Sequence, residues 1–466
     1  MSQAIGKKRS STIDMTKGNP TSLLLSFMLP LLIGNIFQQL YNTVDTMVVG
    51  KFVSAEALAA VGSTGSITNL FLCLCNGLAA GVGIIISQYF GAKNMDNMRR
   101  AIINSVYIMS FIGIIIGLLG VTFTRPVLIL MNTPENILDS ATIYMQISCA
   151  GVLATSVYNG FSAILRGLGD SKTPLFCLII SSFLNISLDL IFVLVFHLGV
   201  AGTSMATVIA QFVSALLTIL YTLWKNPIFK FAKKDMRFDR DIAINCFRLG
   251  IPMALQSSLT SLSFVILQSA INSFGSVIVS TWTTTSRIET LMNQPLRSLG
   301  NSLSTYAGQN VGAKEFERTR EGCKKGFIMM MIFTVAMIPV MWLFGEFFIG
   351  LFVSGKELEI IATGATALKI LSIFHIPLGI IYVYRGVLNG AGDAKFSLIS
   401  GLAEMAGRIL FPGPLSMIPA IGFWGLWIGT GLTWSLVALT NYLRYRAGKW
   451  SREENKVLAS TASETP

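Results

Sequence analysis

Seven ionisable residues fall within long apolar runs of this sequence, and their signs differ by half. Asp45 and Asp189 lie in the first half; Arg287, Glu289, Lys369, Glu404 and Arg408 lie in the second. An ionisable group at the centre of a bilayer costs about 2.5–3.5 kcal/mol on insertion scales, so each needs a partner or a task. The first-half acids have no base in the runs around them. Two unpaired carboxylates in low dielectric take up a proton or a metal cation, because the doubly ionised state is strongly disfavoured. Tyr41 stands one helical turn before Asp45 and Asn185 one turn before Asp189, so each polar neighbour shares a face with its acid. Thr203 and Thr207 put hydroxyls on one face of the sixth run, and Asn159 adds an amide from the fourth. Carboxylate, amide and hydroxyl oxygens suit Na⁺ or a proton relay. The alternative is that these groups only tie helices together. In the second half Glu404 and Arg408 are four apart and share a face, and Arg287 or Lys369 is available to compensate Glu289. That mixed-sign set reads either as an ion-pair network that fixes packing or as part of a functional site.

The elements that hold these residues follow from composition. The chain has 466 residues, is 52% hydrophobic and 12% charged, and has a mean hydropathy of +0.64. Those charges are too few to cover the surfaces of a soluble protein of that length. Apolar runs of about twenty residues recur, each long enough to cross the hydrocarbon core as a helix. Twelve are predicted, centred near Phe37, Phe71, Ile112, Gly151, Asn185, Val208, Ser261, Thr290, Thr334, Phe374, Gly407 and Leu432. Lipid-exposed backbone must be helical, so the fold class is an all-α membrane protein. Pro30 falls inside the first span, where proline removes a backbone hydrogen bond and kinks the helix. It is a candidate hinge about four turns from Asp45.

The net charge of +12 is distributed by side. Inward segments carry Lys7, Lys8, Arg9, Lys17, Lys93, Arg99, Arg100, Arg166 and Lys172. Lys225, Lys230, Lys233, Lys234, Arg237 and Arg240 follow in WKNPIFKFAKKDMRFDR. Outward loops carry Lys51, Arg125 and Lys356. This positive-inside pattern predicts a multi-pass protein of the plasma (inner) membrane with both termini cytoplasmic. It also reads the basic runs as topology signals beside anionic lipid rather than as a nucleic-acid surface. The polar opening MSQAIGKKRSSTIDMTKGNP and the long span after it do not read as a cleavable signal. The six cysteines show no metal spacing, and no disulfide framework is implied.

The two halves repeat. Leu29-Pro30 recurs as Ile251-Pro252, and Gln88 with Gly91-Ala92-Lys93 recurs as Gln309 with Gly312-Ala313-Lys314. Gly167-Leu168-Gly169-Asp170 recurs as Gly390-Ala391-Gly392-Asp393, and LGVAG (198–202) recurs as IGFWG (421–425). Four matches in one order at nearly one offset indicate duplication. Six spans per copy give both copies one orientation, hence two six-helix bundles related by a pseudo-twofold axis along the membrane normal. The expected divisions are a tail at 1–20, a bundle at 21–224, a basic linker at 225–247, a bundle at 248–445 and a tail at 446–466.

The chain resembles bacterial transporters of the multidrug and toxic compound extrusion (MATE) family from about Gly18 to about Tyr445. The marks are Pro30, VDTMVVG (44–50), QYFGAKN (88–94), LRGLGDSKTP (165–174), NISLD (185–189), LGVAGTSMAT (198–207), QNVGAKE (309–315) and NGAGDAK (389–395). The resemblance implies efflux of small lipophilic drugs driven by H⁺ or Na⁺ moving inward, and a V-shaped twelve-helix fold around a central cavity. It implies an acid-lined pocket in the first half, matched here by Tyr41, Asp45, Asn159, Asn185, Asp189 and Thr207. Other members place a cation-binding acid in the seventh span, which here reads QSSLTSLSF (256–264) without a carboxylate. The coupling site, with Na⁺ as one candidate ion at Asp45 and Asp189, is therefore expected in the first half.

An enzyme is not expected. GLGDSKT (167–173) lacks the Gly-Lys pair of a phosphate loop, and there is no HExxH and no nucleophile elbow. No cofactor is implied beyond the coupling ion, H⁺ or Na⁺, and a monomer with small-molecule and lipid partners is expected. The main rival is a flippase for a lipid-linked saccharide or other amphiphile. Such a protein would expose bases such as Arg287, Arg297, Lys369 and Arg408 to its cavity. A receptor or scaffold without transport is a third class.

Overall fold

The structure, a computed structural model, describes residues 12–353 and 357–451. Lys7, Lys8, Arg9 and Lys356, and most of the two expected tails, lie outside these residues. The chain forms α1 (Pro20–Phe52), α2 (Ala55–Gly91), α3 (Met95–Leu130), α4 (Glu135–Ala150), α5 (Val152–Gly167), α6 (Lys172–Leu190), α7 (Gly199–Lys225) and α8 (Arg240–Asn272). It continues through α9 (Ser276–Met292), α10 (Gln294–Gly312), α11 (Phe316–Gly350), α12 (Leu358–Gly390), α13 (Ala394–Leu410), α14 (Pro412–Ser416) and α15 (Gly425–Arg446). Among the described residues the secondary structure is helical throughout.

Twelve spans emerge from these helices. Among the described residues, nine helices are long and apolar enough to cross a membrane unaided, and α4 with α5 makes a tenth, bent by 43°. The bend falls at Gly151, where any side chain would run into Val208 of α7. The expected eighth span is likewise divided, into α9 and α10, at Asn293 just before Pro295. α10 is poor in apolar residues because it faces protein: Ser298, Ser302, Gln309 and Asn310 are all buried. A helix surrounded by other helices has no lipid-facing stripe to fill. The eleventh span, α13, is shortened by Pro412 and carries Glu404 and Arg408 on buried positions.

α1 opens on Asn19, whose side chain accepts from Thr21 N, with Pro20 in the first turn. It passes through the buried Pro30 as one helix. The basic linker runs from the end of α7 to Arg240, where α8 begins. It docks on α3, where Asn104 accepts from Asp239 N at 2.9 Å and donates to Arg237 O at 3.3 Å.

The duplication reaches the backbone. Gly169 and Gly392 close α5 and α12 with φ of 82° and 85°, and Lys93 and Lys314 follow α2 and α10 with φ of 57° and 61°. The halves cross where α2 meets α8, with Gly77 and Gly81 against Ala254 and Gly250. Small residues four apart on each helix let the backbones approach closely. At the end carrying the basic segments the halves are clasped reciprocally. Gln88 Nε2 donates to Gly390 O at 3.0 Å, and Gln309 Nε2 donates to Gly167 O at 3.0 Å. Each glutamine thus binds a glycine carbonyl of the other half. The N-terminal segment lies across this seam: Met15 N donates to Gln309 Oε1 at 2.8 Å, and the Met15 side chain is fully buried.

Candidate functional site

α1 and α6 pack side by side and bring Asp45 and Asp189 together. The two carboxyl groups lie within hydrogen-bonding reach of each other. Asp189 is fully buried, and Asp45 is half-buried. Among the described residues no group donates to Asp45 Oδ1 or to Asp189 Oδ1. Neither acid has an ion-pair partner among the described residues.

The oxygen-rich neighbours surround the pair. With its amide nitrogen towards the acid, Asn185 donates to Asp189 Oδ2 at 3.2 Å and accepts from Thr207 N at 3.3 Å. The opposite amide orientation leaves a 3.4 Å bond to Thr207 Oγ1 and sets the amide oxygen against the carboxylate, so the hydrogen-bond network selects the first. Tyr41 reaches Thr207 and lies close to both acids. Asn159 is partly buried on α5 and makes no hydrogen bond to either acid among the described residues.

Two features of this pocket were not anticipated. Tyr144, on α4, lies within electrostatic range of both carboxyl groups. One tyrosine in an apolar run has no distinguishing spacing, so only the packing of α4 against α7 reveals it. Directly after Asp189 the helix widens into a π-type turn over Ile191–Val195, with Phe196 N donating to Ile191 O at 3.1 Å. Such single turns occur frequently at functional sites, because they shift the register of the residues around them.

The second-half charges form a different arrangement. Glu404 Oε1 lies 3.4 Å from Arg408 Nη2, and its Oε2 lies 3.7 Å from Arg385 Nη2 and accepts from Thr260 Oγ1 at 3.1 Å. Arg408 also lies over the Phe264 ring, 3.8 Å from its centroid. Glu289 accepts from Asn293 Nδ2 at 3.2 Å, and Arg408 is the base that acts on it. Neither Arg287 nor Lys369 forms an ion pair with Glu289 among the described residues, contrary to the compensation expected from sequence. Arg287 is exposed, and residues two apart on a helix do not face each other. Arg385 is the partner that sequence reasoning missed.

The MatE family model matches residues 30–191 and, a second time, residues 252–411. The chain belongs to the MATE family. It is 28% identical to the probable multidrug resistance protein YpnP of Bacillus subtilis, over 94% of this chain and 97% of that protein. It is 25% identical to the probable multidrug resistance protein NorM of Thermotoga maritima, over 92% and 93% of the two chains. A solved structure described as the outward-facing conformation of a multidrug resistance MATE family transporter superposes with a TM-score of 0.87 at 21% identity, covering 95% of this chain and 99% of that one. The double match follows the duplication read from Gln88 and Gln309, and the superposition places this MATE chain in the twelve-helix, two-bundle fold. Among the described residues no group of three or more His, Cys, Asp or Glu is placed to hold a metal ion. The oxygen cage around Asp45 and Asp189 contains two carboxylates, an amide and a phenol, a donor set for a proton or a hard monovalent cation.

Proposed function

We propose that this MATE protein is a secondary active exporter of small lipophilic compounds, cationic drugs among them, and that H⁺ or Na⁺ moving inward through the Asp45–Asp189 pair drives it. The facing carboxyl groups, with no ion-paired base among the described residues and one unpartnered oxygen on each, carry this reading. Like charges at that distance repel unless a proton or cation lies between them. Loading the pair draws α1 and α6 together, and unloading it releases them. A site whose charge differs between two states biases the equilibrium between those states. Pro30 is the hinge through which α1 answers, and Asn185, Tyr41, Thr207 and Asn159 line the ion's path. Multidrug names among the relatives support the substrate class.

The basic end is cytoplasmic, by the positive-inside rule, with both termini on that side of the plasma membrane. The two bundles, 21–224 and 248–445, then alternate access to the cavity between them about the linker at 225–247. The reciprocal glutamine clasp represents the state closed to the cytoplasm. Glu289, Glu404, Arg408 and their neighbours serve packing in the second bundle. The protein works as a monomer, because the cavity lies within one chain. The flippase reading needs unpaired bases around the cavity. Arg408 is tied to Glu404, whereas Arg297 lines the cavity beside the glutamine clasp without an ion pair among the described residues, and that observation keeps the flippase as the second reading.

Proteoliposomes loaded with a fluorescent lipophilic cation test the proposal under an imposed proton gradient and then a sodium gradient. Gradient-driven dye movement in the wild type that is lost in Asp45→Asn supports it and identifies the ion. Transport by Asp45→Asn at the wild-type rate would remove the coupling role from the pair.

A further inference from the structure

A cavity of about 260 Å³ lies between the two bundles, beside the glutamine clasp. Arg166 from the end of α5, Arg297 from the start of α10 and Arg385 from α12 all line it, and no Asp or Glu among the described residues does. Gln256, Asn301 and Asn389 add amide donors. Arg166 and Arg297 make no ion pair among the described residues. Arg385 is partly used: it donates to Ser400 Oγ at 2.9 Å and stands 3.7 Å from Glu404, while its buried Nε has no partner. Glu404 and Glu289 both lie close to the lining residue Tyr382. Glu404 is shared with Arg408. Three guanidinium groups therefore share one space whose lining holds no carboxylate among the described residues. Like charges gathered in a partly enclosed space need a counter-charge, and the field they create concentrates anions.

We propose that this cavity is a binding site for an anionic group of the phosphate, sulfate or carboxylate class, held by Arg166, Arg297 and Arg385. Guanidinium forks match the paired oxygens of such groups, and their charge-assisted bonds are the strong ones. The volume is a little below that of sites for whole drug-sized molecules, so it admits a small oxyanion or the head of a larger amphiphile. The site is built by both halves. Arg166 and Asn389 occupy equivalent places in the repeat, each just before its Gly-Asp turn, so one copy contributes a cation where the other contributes an amide. The site is separate from the Asp45–Asp189 pair, and its occupancy does not depend on which ion drives transport. It extends the ligands of this protein from lipophilic cations to molecules with an anionic group.

The test is binding to the purified full-length protein in neutral detergent at fixed ionic strength, read by titration calorimetry. One arm titrates inorganic pyrophosphate. The second titrates micelles containing phosphatidylglycerol against micelles of phosphatidylcholine. Arg297→Gln is the informative variant, because Arg297 is exposed to the cavity and its replacement leaves the packing in place. Arg166→Gln is the second, and Arg446→Gln at the exposed end of α15 controls for net charge. The expected result is saturable anion binding that weakens roughly tenfold or more in Arg297→Gln and in Arg166→Gln but not in Arg446→Gln, the scale of one charged hydrogen bond. Binding of pyrophosphate assigns a free solute, and binding of phosphatidylglycerol alone assigns a lipid head group. Absence of saturable binding in both arms, or equal binding by the wild type and both cavity variants, overturns the site.

Discussion

The two halves of this MATE protein share a fold and differ in their charges. The offset that carries Pro30 onto Pro252 carries Asp45 onto Leu267. The offset that carries Asp170 onto Asp393 carries Asp189 onto Pro412 and Asn185 onto Arg408. The first half therefore holds two facing acids and a neutral amide where the second holds apolar side chains and a cation. Helix endings diverge in the same place. α6 continues past Asp189 through a π-type turn, whereas α13 stops at Leu410 before Pro412. Duplication preserved the scaffold, which depends on small residues and turn glycines. It did not preserve the buried charges, which depend on what each half must do. In the second half Glu404, Arg408 and Glu289 each have an opposite or a polar partner. In the first half the acids have only each other and neutral groups among the described residues.

The largest expected effect breaks the comparison at its centre. Asp45→Asn and Asp189→Asn should each bring gradient-driven flux to background in proteoliposomes, and the double variant should be no worse, because groups acting as one unit are not additive. Both should unfold in detergent at or above the wild-type temperature, since each relieves a like-charge contact. Glu404→Gln should do the reverse. It removes the carboxylate that pairs with the buried Arg408 and leaves only the more distant Glu289 acting on it, a change that costs about 3–5 kcal/mol, seen as a clear loss of thermal stability. Retained stability in Glu404→Gln would place the second-half acid in the same class as the first.

Smaller effects sharpen the picture at the clasp and around the acids. A leucine at Gly91 meets Gln309 O, and one at Gly312 meets Gln88 O. Each should destabilise the clasped state by about 1–3 kcal/mol, the range for overpacking, and raise cysteine labelling from the basic side. Because the repeat makes the two positions equivalent, the two variants should behave alike. A marked difference would show that the halves do not share the seam equally. Gln88→Ala removes one hydrogen bond, expected to contribute about 1 kcal/mol, and Gln309→Ala removes two, because Gln309 also accepts from Met15 N. Tyr144→Phe has the smallest expected effect, a few-fold change in the ion concentration for half-maximal flux with stability unchanged.

Much of the candidate site was legible in the chain because a carboxylate in an apolar run is visible wherever it lies. Asp45 and Asp189 needed no knowledge of packing to be noticed, and Asn185 and Tyr41 followed from helical spacing. Glu404 and Arg408 could be paired because they are one turn apart on one helix. Tyr144 and Arg385 were not legible, since each joins its partners from another helix. Gln88 and Gln309 were visible as repeated letters, but nothing local showed that each reaches the glycine carbonyl of the opposite half.

What the sequence determined alone was set by composition and short-range period: a membrane protein, helical, duplicated, with twelve spans and two acids lacking a base. Hydropathy acts residue by residue and helical spacing within a few residues, so neither needs tertiary information. Only the tertiary structure decided that the carboxyl groups of Asp45 and Asp189, on helices far apart in the chain, face each other. It alone decided that Glu404 gains Arg385, and that α4 and α9 break from their continuations. Those outcomes depend on how far each helix tilts and turns against its neighbours. That orientation is a sum over many weak contacts between distant parts of the chain, and no single stretch of sequence contains it.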